Sequence, residues 1–405
     1  MSIAFADKEI VLGVTGSIAA YKACELASRL TEEGAVVIPA LTRAAREFVA
    51  PLSFEAITGR PAITDMFAPV ANPEIEHIAV ARRAHLFLVA PASANILAKA
   101  ACGIADDWLS TTLLATRAPV LFAPAMNAAM YAHPATQANI ATLRARGCHF
   151  VGPGEGRLAC GETGPGRLIE TPAILEAACI LLSGKKDLAG RRVLITSGAT
   201  HEPLDPVRFI GNRSSGKMGR ALALEALRRG AEVTIISGPA RVPLPYAATV
   251  VSVRTAQEML DATLAHVDAA DIFIAAAAVA DYRVEHPADE KHKRNGDGLN
   301  LTLCPNPDIA AAVSVRKRPE QVTVGFAAET HDLLTHAQRK LEKKQLDLII
   351  ANQVGGENCA FGADTAWAWM ITPGAPPEQL HLITKEELTE RVFDKIASIL
   401  RTRNA

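Results

Sequence analysis

The sequence predicts two α/β domains, each built on a mainly parallel, doubly wound sheet of the Rossmann-like or flavodoxin-like kind. Short β-branched runs alternate with helical patterns along the chain, which is typical of such sheets. The chain has 405 residues, whereas a single domain has about 100–200 residues. A strand that breaks into a glycine turn opens the chain at EIVLGVTGSIAAYK, and a similar start recurs near its middle at RRVLITSGATHEPLDPVRFIGNRSSGK.

Composition excludes several classes of protein. A formal net charge of −1 gives no general attraction to nucleic acids or anionic lipids. The longest apolar runs, such as Ile272–Ala280, are far below the roughly 20 residues of a membrane helix. The seven cysteines are scattered without a CxxC pair, and the first residues lack a signal-peptide pattern. We therefore expect a cytoplasmic protein that acts on small molecules and binds neither nucleic acid nor membrane.

The first half shows the elements of one such domain. Strands are predicted at Ile10–Val14, Val36–Leu41, His85–Val89 and Pro119–Phe122, with a weaker one at His149–Val151. Helices are predicted at Ile18–Glu32, Ala94–Thr116, Pro134–Arg146 and Pro172–Ser183. Between the last two helices, GPGEGRLACGETGPGR holds six glycines and two prolines. That density predicts a mobile flap without regular structure.

The linker SGKKDLAG separates the halves, so the predicted domains are residues 1–187 and 188–405. Strands of the second half are predicted at Arg192–Ser197, Glu232–Ser237, Thr249–Val253, Asp271–Ala276, Gln321–Phe326 and Leu348–Ala351. Segments Trp367–Thr372 and Leu380–Thr384 are predicted to form a closing hairpin, and a helix is predicted at Lys385–Arg401.

Polar residues follow several strands of the first half, where ligands of parallel sheets bind. Gly16 and Ser17 at a helix start suit a phosphate, although glycine there can serve only to tighten the turn. Ser93 and Asn95 follow a buried strand and are equally good helix caps. Asn127 in FAPAMNAAMY can hydrogen-bond a substrate carboxylate or cap a helix. Each signal is weak alone.

Two further residues in the first half are potential catalysts. His77 lies in PEIEHIAV, and a single histidine is more often structural than catalytic. Cys160 differs from the other cysteines because it lies in the glycine-rich segment, whereas most of the others fall in helix or strand patterns.

Together the motifs GVTGSIAAYK, PEIEHIAV, PASANILAK, GIADDWLS, PAMNAAMY and ACGETGPGR resemble the flavin-dependent cysteine decarboxylases. The nearest resemblance is to the phosphopantothenoylcysteine decarboxylase half of the bacterial bifunctional coenzyme A biosynthesis proteins. Tyr131 stands where that family commonly has tryptophan, and Ser93 and Ile96 stand where threonine is common. The resemblance implies that FMN binds against Gly16, Ser17, Thr42, Ser93, Ala94, Asn95 and Ala125.

The same resemblance implies three catalytic roles. His77 is expected to act as the base when the cysteine moiety of the substrate is oxidised by FMN to a thioaldehyde, which then accepts the electrons left by departing CO2. Asn127 is expected to hold the carboxylate that leaves, and Cys160 to protonate the enethiolate.

The second half offers groups that bind anions. DPVRFIGNRSSGKMG has arginine, lysine, serine and asparagine beside glycines, but it lacks the spacing of a P-loop and is compatible with a solvated turn. Lys340 and Lys344 share one helix face, which is usually a wet surface but can also clamp a triphosphate.

These segments, with AAAAVADYR, DEKHKR, NPDIA and GFAAET, resemble the phosphopantothenate–cysteine ligase half of the same bifunctional family. The resemblance implies CTP as co-substrate with Mg²⁺ (or Mn²⁺), and an acyl-cytidylate intermediate. Arg208 and Asn212 are implied at the substrate, and Lys291 is expected to stabilise charge during amide formation. The residues implied to bind CTP are Asp281, Lys291, Pro307, Asp308, Ile309, Ala310, Phe326, Lys340 and Lys344.

Two alternative interpretations remain. One is a non-catalytic flavodoxin-like redox protein fused to a nucleotide-binding domain, although such carriers do not need a flap cysteine. The other is a dehydrogenase, but neither glycine turn gives GxGxxG. The family resemblance also implies a homo-oligomer with trimer contacts in the first half and dimer contacts in the second.

Overall fold

The computed structural model describes residues 5–67, 76–293, 298–329, 331–353 and 365–404. The chain divides into two compact units, Met1–Ser183 and Gly184–Ala405. Each unit contains its own sheet and its own buried apolar clusters. The predicted α/β class with two mainly parallel sheets is confirmed.

The first unit is built on a five-stranded parallel sheet. Its strands are β1 (Glu9–Val14), β2 (Val36–Leu41), β3 (Leu86–Ala92), β4 (Val120–Pro124) and β5 (His149–Phe150). The sheet order is β2-β1-β3-β4-β5, which is the flavodoxin-like order. Every residue of β3 is buried, and its side chains alternate between two apolar clusters. Such a strand is apolar on both faces because helices cover both sides of a parallel sheet.

Helices connect these strands. They are α1 (Lys22–Glu32), α2 (Pro51–Thr58), α3 (Glu76–Arg83), α4 (Ala94–Cys102), α5 (Trp108–Ala115), α6 (Ala128–Ala132), α7 (Pro134–Ala145) and α8 (Thr171–Leu182). Short 3-10 turns lie at Ile18–Tyr21 and Ala45–Glu47.

The prediction of one helix over Ala94–Thr116 is wrong. Gly103 adopts a left-handed conformation with φ of +72° and ends α4, and its N–H bonds back to the Lys99 carbonyl. A second helix, α5, then begins at a capping box formed by Asp107 and Ser110. The helix predicted from Ile18 also starts as a 3-10 turn and becomes α-helical only at Lys22.

The prediction of an irregular flap at residues 152–167 is also wrong. The segment forms an antiparallel hairpin of β6 (Gly154–Arg157) and β7 (Thr163–Arg167). Gly166 has a φ of +138°, and a Cβ there would stand 2.3 Å from the Met126 carbonyl oxygen. Because it has no side chain, the Gly166 carbonyl accepts the Met126 N–H at 2.9 Å. The glycines therefore let the hairpin pack closely.

The second unit is built on an eight-stranded sheet in the order β12-β11-β8-β13-β16-β17-β18-β19. These strands are β8 (Arg192–Ser197), β11 (Glu232–Ser237), β12 (Thr249–Ser252), β13 (Ile272–Ala275), β16 (Val322–Glu329), β17 (Leu348–Gln353), β18 (Thr365–Ile371) and β19 (Glu378–Thr384). The first six are parallel, and the last two add the predicted antiparallel hairpin.

Two small hairpins were not anticipated from the sequence. They pair β9 (His201–Pro203) with β10 (Phe209–Gly211), and β14 (Tyr282–Val284) with β15 (Leu303–Pro305). The helices of the second unit are α9 (Lys217–Arg228), α10 (Ala256–Val267), α11 (Ile309–Arg316), α12 (Leu333–Lys343) and α13 (Lys385–Asn404).

A buried arginine fastens α13 to the start of the second unit. The Arg229 side chain is fully buried, and its guanidinium donates to Glu225 at 2.8 Å, to Asp187 at 3.2 Å and to Asp394 at 2.7 Å. It also donates to the Glu390 carbonyl at 3.0 Å. These carboxylates and this carbonyl satisfy the buried charge, which would otherwise be strongly unfavourable.

We predict that Arg229→Ala loosens this attachment. Removing the guanidinium breaks its pairs with Glu225, Asp187 and Asp394, which costs about 3 kcal/mol. Glu225 still pairs with Arg228, and Asp394 with Lys185. Hydrogen exchange of the α13 amides, measured by mass spectrometry on the full chain, should accelerate about 100-fold. The control is Arg316→Ala, since Arg316 forms only an exposed 3.7 Å pair with Asp268 and a weak bond to a carbonyl. Exchange in α13 that is unchanged by Arg229→Ala would contradict this account.

Candidate functional sites

A cavity of the first unit opens at the carboxyl ends of β1, β3 and β4 and has a volume of about 760 Å³. This is where the strand order reverses, at the switch point at which doubly wound sheets bind ligands. Its walls come from the three strand-end loops and from the β6–β7 hairpin. Its lining residues include Gly16, Ser17, Lys22, Ser93, Ala94, Ala125, Met126, Asn127, Met130, Arg157, Leu158, Cys160 and Arg167.

Thr15 joins the two loops at the switch point. This buried residue directly follows β1, and its hydroxyl donates to the Pro91 carbonyl at 2.7 Å. The same hydroxyl oxygen accepts the Ser93 N–H at 2.9 Å. Sequence reasoning missed Thr15, because a threonine after a strand gives no signal of a contact 78 residues away.

Gly16 and Ser17 of the glycine turn line this cavity. The Ser17 side chain accepts the Ala19 N–H at 3.3 Å and caps the 3-10 turn. A Cβ on Gly16 would lie 2.5 Å from the Ala44 Cβ, so close packing requires glycine there. Ser93 caps α4 by accepting the Ile96 N–H at 3.4 Å. The helix-capping interpretation of Ser93 is therefore correct, and the same residue also lines the cavity.

Asn127 and Cys160 meet at the cavity. The Asn127 side-chain oxygen accepts the Ala129 N–H at 2.8 Å, which fixes the amide at the start of α6. Its nitrogen lies 3.5 Å from the Cys160 sulfur and 2.9 Å from a Glu162 carboxylate oxygen. The Cys160 sulfur lies 3.7 Å from that same oxygen. Sequence reasoning missed Glu162, whose only signal was its position two residues after Cys160.

Three predicted residues are not among those that line this cavity. His77 is the second residue of α3, and Asn95 is the second residue of α4. Thr42 follows β2, where its hydroxyl accepts the Ala45 N–H at 3.3 Å. Within one copy of the chain, the described residues thus bring Asn127 and Cys160 together but leave His77 outside the cavity wall.

Two other cysteines behave as structural residues. Burial raises the pKa of the Cys24 thiol, and burial likewise raises that of Cys148, so both thiols stay protonated. Cys160 instead lies exposed in the hairpin. This contrast agrees with the distinction that the sequence suggested between Cys160 and the other cysteines.

The second unit has a cavity of about 300 Å³ at its own switch point, where β8 adjoins β13. Its lining includes nearly all of the residues that the resemblance implied for CTP. These are Asp281, Pro307, Asp308, Ile309, Ala310, Phe326, Lys340 and Lys344. Residues separated by up to 63 positions in the sequence therefore form one wall, whereas Lys291 is not part of that lining.

Ion pairing orders the polar end of this cavity. Asp308 caps α11 by accepting the Ala311 N–H at 3.1 Å, and the same oxygen pairs with the Lys344 ammonium at 3.0 Å. Asn306 belongs to the NPDIA motif, but the sequence assigned it no role. Its side chain donates to the Ala280 carbonyl at 2.9 Å, and its N–H donates to the Asp281 carbonyl at 2.8 Å. These bonds join the loop after β13 to the loop before α11.

Arg208, Asn212 and Lys291 lie on neighbouring segments. The Asn212 amide donates to the Val279 carbonyl at 2.8 Å, beside the cavity wall. Arg208 pairs with buried Asp205 and donates to the His292 carbonyl at 3.1 Å, one residue from Lys291. Arg294, the last residue of the predicted basic run, lies outside the described residues.

Among the described residues, no group of three or more His, Cys, Asp or Glu side chains is arranged to hold a metal ion. No helix in the described ranges is both long and apolar enough to cross a bilayer.

Comparison with known families agrees with this division of the chain. Residues 5–183 match the family described as Flavoprotein, and residues 188–400 match the DNA/pantothenate metabolism flavoprotein C-terminal domain. Three curated relatives are each a "Coenzyme A biosynthesis bifunctional protein CoaBC". The one from Vibrio cholerae is 48% identical over 394 residues, covering 96% of this chain and 98% of its own. The one from Escherichia coli K12 is 43% identical over 405 residues, covering 99% and 100%.

The third relative, from Mycobacterium tuberculosis, is 44% identical over 409 aligned positions and covers 97% of each chain. Identity at this level over nearly the whole length holds for both units, which a chance match to one domain would not give. The predicted family and the predicted bifunctional role in coenzyme A biosynthesis are confirmed. With a flavoprotein unit followed by a pantothenate-metabolism unit, the chain belongs to the family of bifunctional coenzyme A biosynthesis proteins CoaBC.

Proposed function

We propose that the second unit joins 4'-phosphopantothenate to cysteine with CTP, and that the first unit decarboxylates the product, phosphopantothenoylcysteine, to 4'-phosphopantetheine with FMN. The observation that carries this proposal is convergence. Most of the residues implied by two independent sets of motifs, scattered along each half, line one strand-end cavity in each unit. The two reactions are consecutive, because the ligase product is the decarboxylase substrate.

The first cavity fits FMN. Its volume of about 760 Å³ lies within the roughly 300–1,000 Å³ typical of cofactor pockets. Met126, Met130 and Leu158 give it apolar walls for a planar ring, and the Gly16–Ser17 turn gives it backbone donors for a phosphate. The match to the Flavoprotein family also supports a flavin.

Bound FMN supplies the electron acceptor for oxidation of the cysteine moiety and returns the electrons after CO2 has left. Asn127 is held by the Ala129 N–H, and its amide nitrogen donates to the Glu162 carboxylate at 2.9 Å. The substrate carboxylate would replace that of Glu162 as the acceptor. The Cys160 thiol, next to that amide, donates a proton to the enethiolate carbon left by decarboxylation. The resulting thiolate regains its proton from water.

His77 is proposed to act as the base at the cavity of a neighbouring copy. It is not among the residues that line the cavity of its own chain, and the family resemblance implies a trimer of this unit. A symmetric assembly can bring a residue of one copy to the site of the next.

In the second unit, CTP is proposed to occupy the cavity of Asp281, Phe326 and the 307–310 loop, with Lys340 and Lys344 at its triphosphate. A phosphopantothenate carboxylate oxygen attacks the α-phosphorus, and pyrophosphate leaves. The cysteine amine then attacks the acyl carbon, the C–N bond forms, the bond to CMP breaks, and the amine loses its proton to solvent. Arg208 and Asn212 are proposed to contact the phosphopantothenate substrate. Lys291 is proposed to stabilise the charge that develops during amide formation.

The divalent ion is proposed to be coordinated mainly by oxygens of the CTP triphosphate. Mg²⁺ prefers phosphate and water oxygens and needs few protein ligands.

The proposal is tested by incubating the full chain with phosphopantothenate, cysteine, CTP and Mg²⁺ and identifying the products by mass. We expect CMP, pyrophosphate, CO2 and phosphopantetheine. A non-catalytic redox carrier would instead give a yellow protein and no product. Equal turnover with ATP would contradict the assignment to CTP.

We predict that Cys160→Ser separates decarboxylation from product formation. Serine is a much weaker acid than a thiol, so the variant should release CO2 but form little reduced aminoethanethiol product. Labelled CO2 and product mass are measured together. Cys102→Ser, which changes an exposed cysteine at the end of α4, is the control and should behave as the wild type. Normal product from Cys160→Ser would remove Cys160 from the mechanism.

We predict that Lys344→Gln raises the KM for CTP with little change in kcat. The loss of one charged contact, about 1.5–3 kcal/mol, corresponds to a rise of roughly 10–100-fold. Lys343→Gln is the matched control, because Lys343 is exposed and absent from the cavity lining. Similar KM values for the two variants would argue against Lys344 as a phosphate ligand.

We predict that His77→Asn and Cys160→Ser complement each other. Each variant alone should form almost no phosphopantetheine from phosphopantothenoylcysteine. Coexpressed, they form mixed assemblies in which some cavities have both an intact Cys160 and an intact His77 from a neighbour. Product formation should then return. Mixed assemblies that stay inactive would mean that His77 acts within its own chain or not at all.

A further inference from the structure

A turn before β10 holds the segment that carries Lys291. Asp205 is buried, with no exposed side-chain surface, and its carboxylate has two distinct sets of partners. One oxygen accepts the Val207 and Arg208 N–H groups at 2.9 and 2.8 Å, which closes the turn. The other oxygen accepts the Arg208 guanidinium at 2.9 and 2.5 Å and the His292 N–H at 3.3 Å.

The guanidinium completes the contact from the other side. Arg208 Nη2 donates to the His292 carbonyl at 3.1 Å, so the Asp205–Arg208 pair contacts both backbone groups of one residue. Four residues earlier, the Ala288 N–H donates to the Leu204 carbonyl at 3.0 Å. The segment from 288 to 292 is therefore fastened at both ends to the turn formed by residues 204–208.

The segment that follows this turn reaches the cavity proposed to bind CTP. Asn212 lies four residues beyond Arg208, and its amide donates to the carbonyl of Val279, which lines that cavity. The turn at 204–208 thus connects the backbone beside Lys291 to the cavity wall through a short, hydrogen-bonded path.

We propose that Asp205 is a positioning residue for amide formation: with Arg208 it clamps the His292 peptide and so fixes where Lys291 stands. This inference rests on the ligase function proposed above. An ordinary side-chain turn needs only the first carboxylate oxygen. The second oxygen serves a contact between segments 87 residues apart, which turn formation alone does not explain.

The Asp205 carboxylate keeps its negative charge, and this charge maintains its contacts with Arg208 and the His292 N–H. The Arg208 guanidinium and three backbone N–H groups hold the pKa of the Asp205 carboxyl well below its usual range. The carboxylate is therefore ionised throughout the pH range in which the enzyme acts. A neutral amide at this position would present N–H groups to donors and could not satisfy both partners.

The test compares three variants of the full chain. Asp205→Asn keeps the size of the side chain and removes its charge. His292→Pro deletes the N–H that Asp205 accepts and leaves the buried Asp205–Arg208 pair intact, and its ring also fixes φ at position 292 and restricts the backbone of Lys291. His292→Ala is the matched control, because it removes an exposed side chain and keeps the backbone N–H. Two steps are measured separately: pyrophosphate release from CTP and phosphopantothenate without cysteine, and amide formation after cysteine is added.

We expect Asp205→Asn and His292→Pro to slow amide formation about 100-fold, as displacement of a catalytic group by about 1 Å can do. The first burst of pyrophosphate should stay near the wild-type size, and acyl-cytidylate should accumulate. His292→Ala should match the wild type. Combining Asp205→Asn with Lys291→Gln should slow the second step no more than Lys291→Gln alone, since both changes remove one effect.

Each other outcome has a definite meaning. If Asp205→Asn fails to fold, the proposal is tested by the rates of the two steps in His292→Pro, compared with those in His292→Ala. Equal losses in both steps for His292→Pro, or a wild-type second step in both variants, would overturn the clamp. If the wild-type chain releases no pyrophosphate from CTP and phosphopantothenate, the ligase proposal fails first, and this failure is visible before any variant is compared.

Discussion

Both units depend on one constraint of parallel sheets. Every connection between neighbouring parallel strands must cross over a face of the sheet, and a crevice opens where successive crossovers leave toward opposite faces. In the first unit this happens between β1 and β3, and in the second between β8 and β13. Both cavities lie at these points. Thr15, which hydrogen-bonds the neighbouring strand end twice, shows how firmly the crevice of the first unit is fixed.

Close backbone packing completes the first site. Gly166 brings the β6–β7 hairpin within hydrogen-bond distance of the Met126 backbone, which no residue with a side chain could do without displacement. This contact sets Cys160 beside Asn127 and Glu162. The proposed role of Cys160 as a proton donor requires its thiol to lie near the reacting atom already, and a paired hairpin supplies that order better than an irregular loop does.

In the second unit, carboxylates serve two purposes at once. Asp308 caps α11 and pairs with Lys344, so the helix start and the cationic side chain share one acceptor. Asp205 closes a turn and also contacts the segment that carries Lys291. Asp308 in this way ties the local backbone to a distant cation, and Asp205 ties it to a distant backbone segment. Each contact costs less to hold in place because one partner is already fixed.

The sequence alone determined the fold class, the strands at the centre of both sheets, the family and most of the residues singled out at the cavity of the second unit. These follow from local information: β-branched runs specify buried strands, and motif residues lie just beyond strand ends. Tertiary structure decided the rest. The break at Gly103 and the hairpin at 154–167 depend on backbone conformation and on contacts with Met126, which composition does not reveal. Glu162, Asn306 and Asp205 hydrogen-bond to residues that are distant in sequence but adjacent in space. His77 does not line the cavity of its own chain, because position along the chain does not determine distance in the fold.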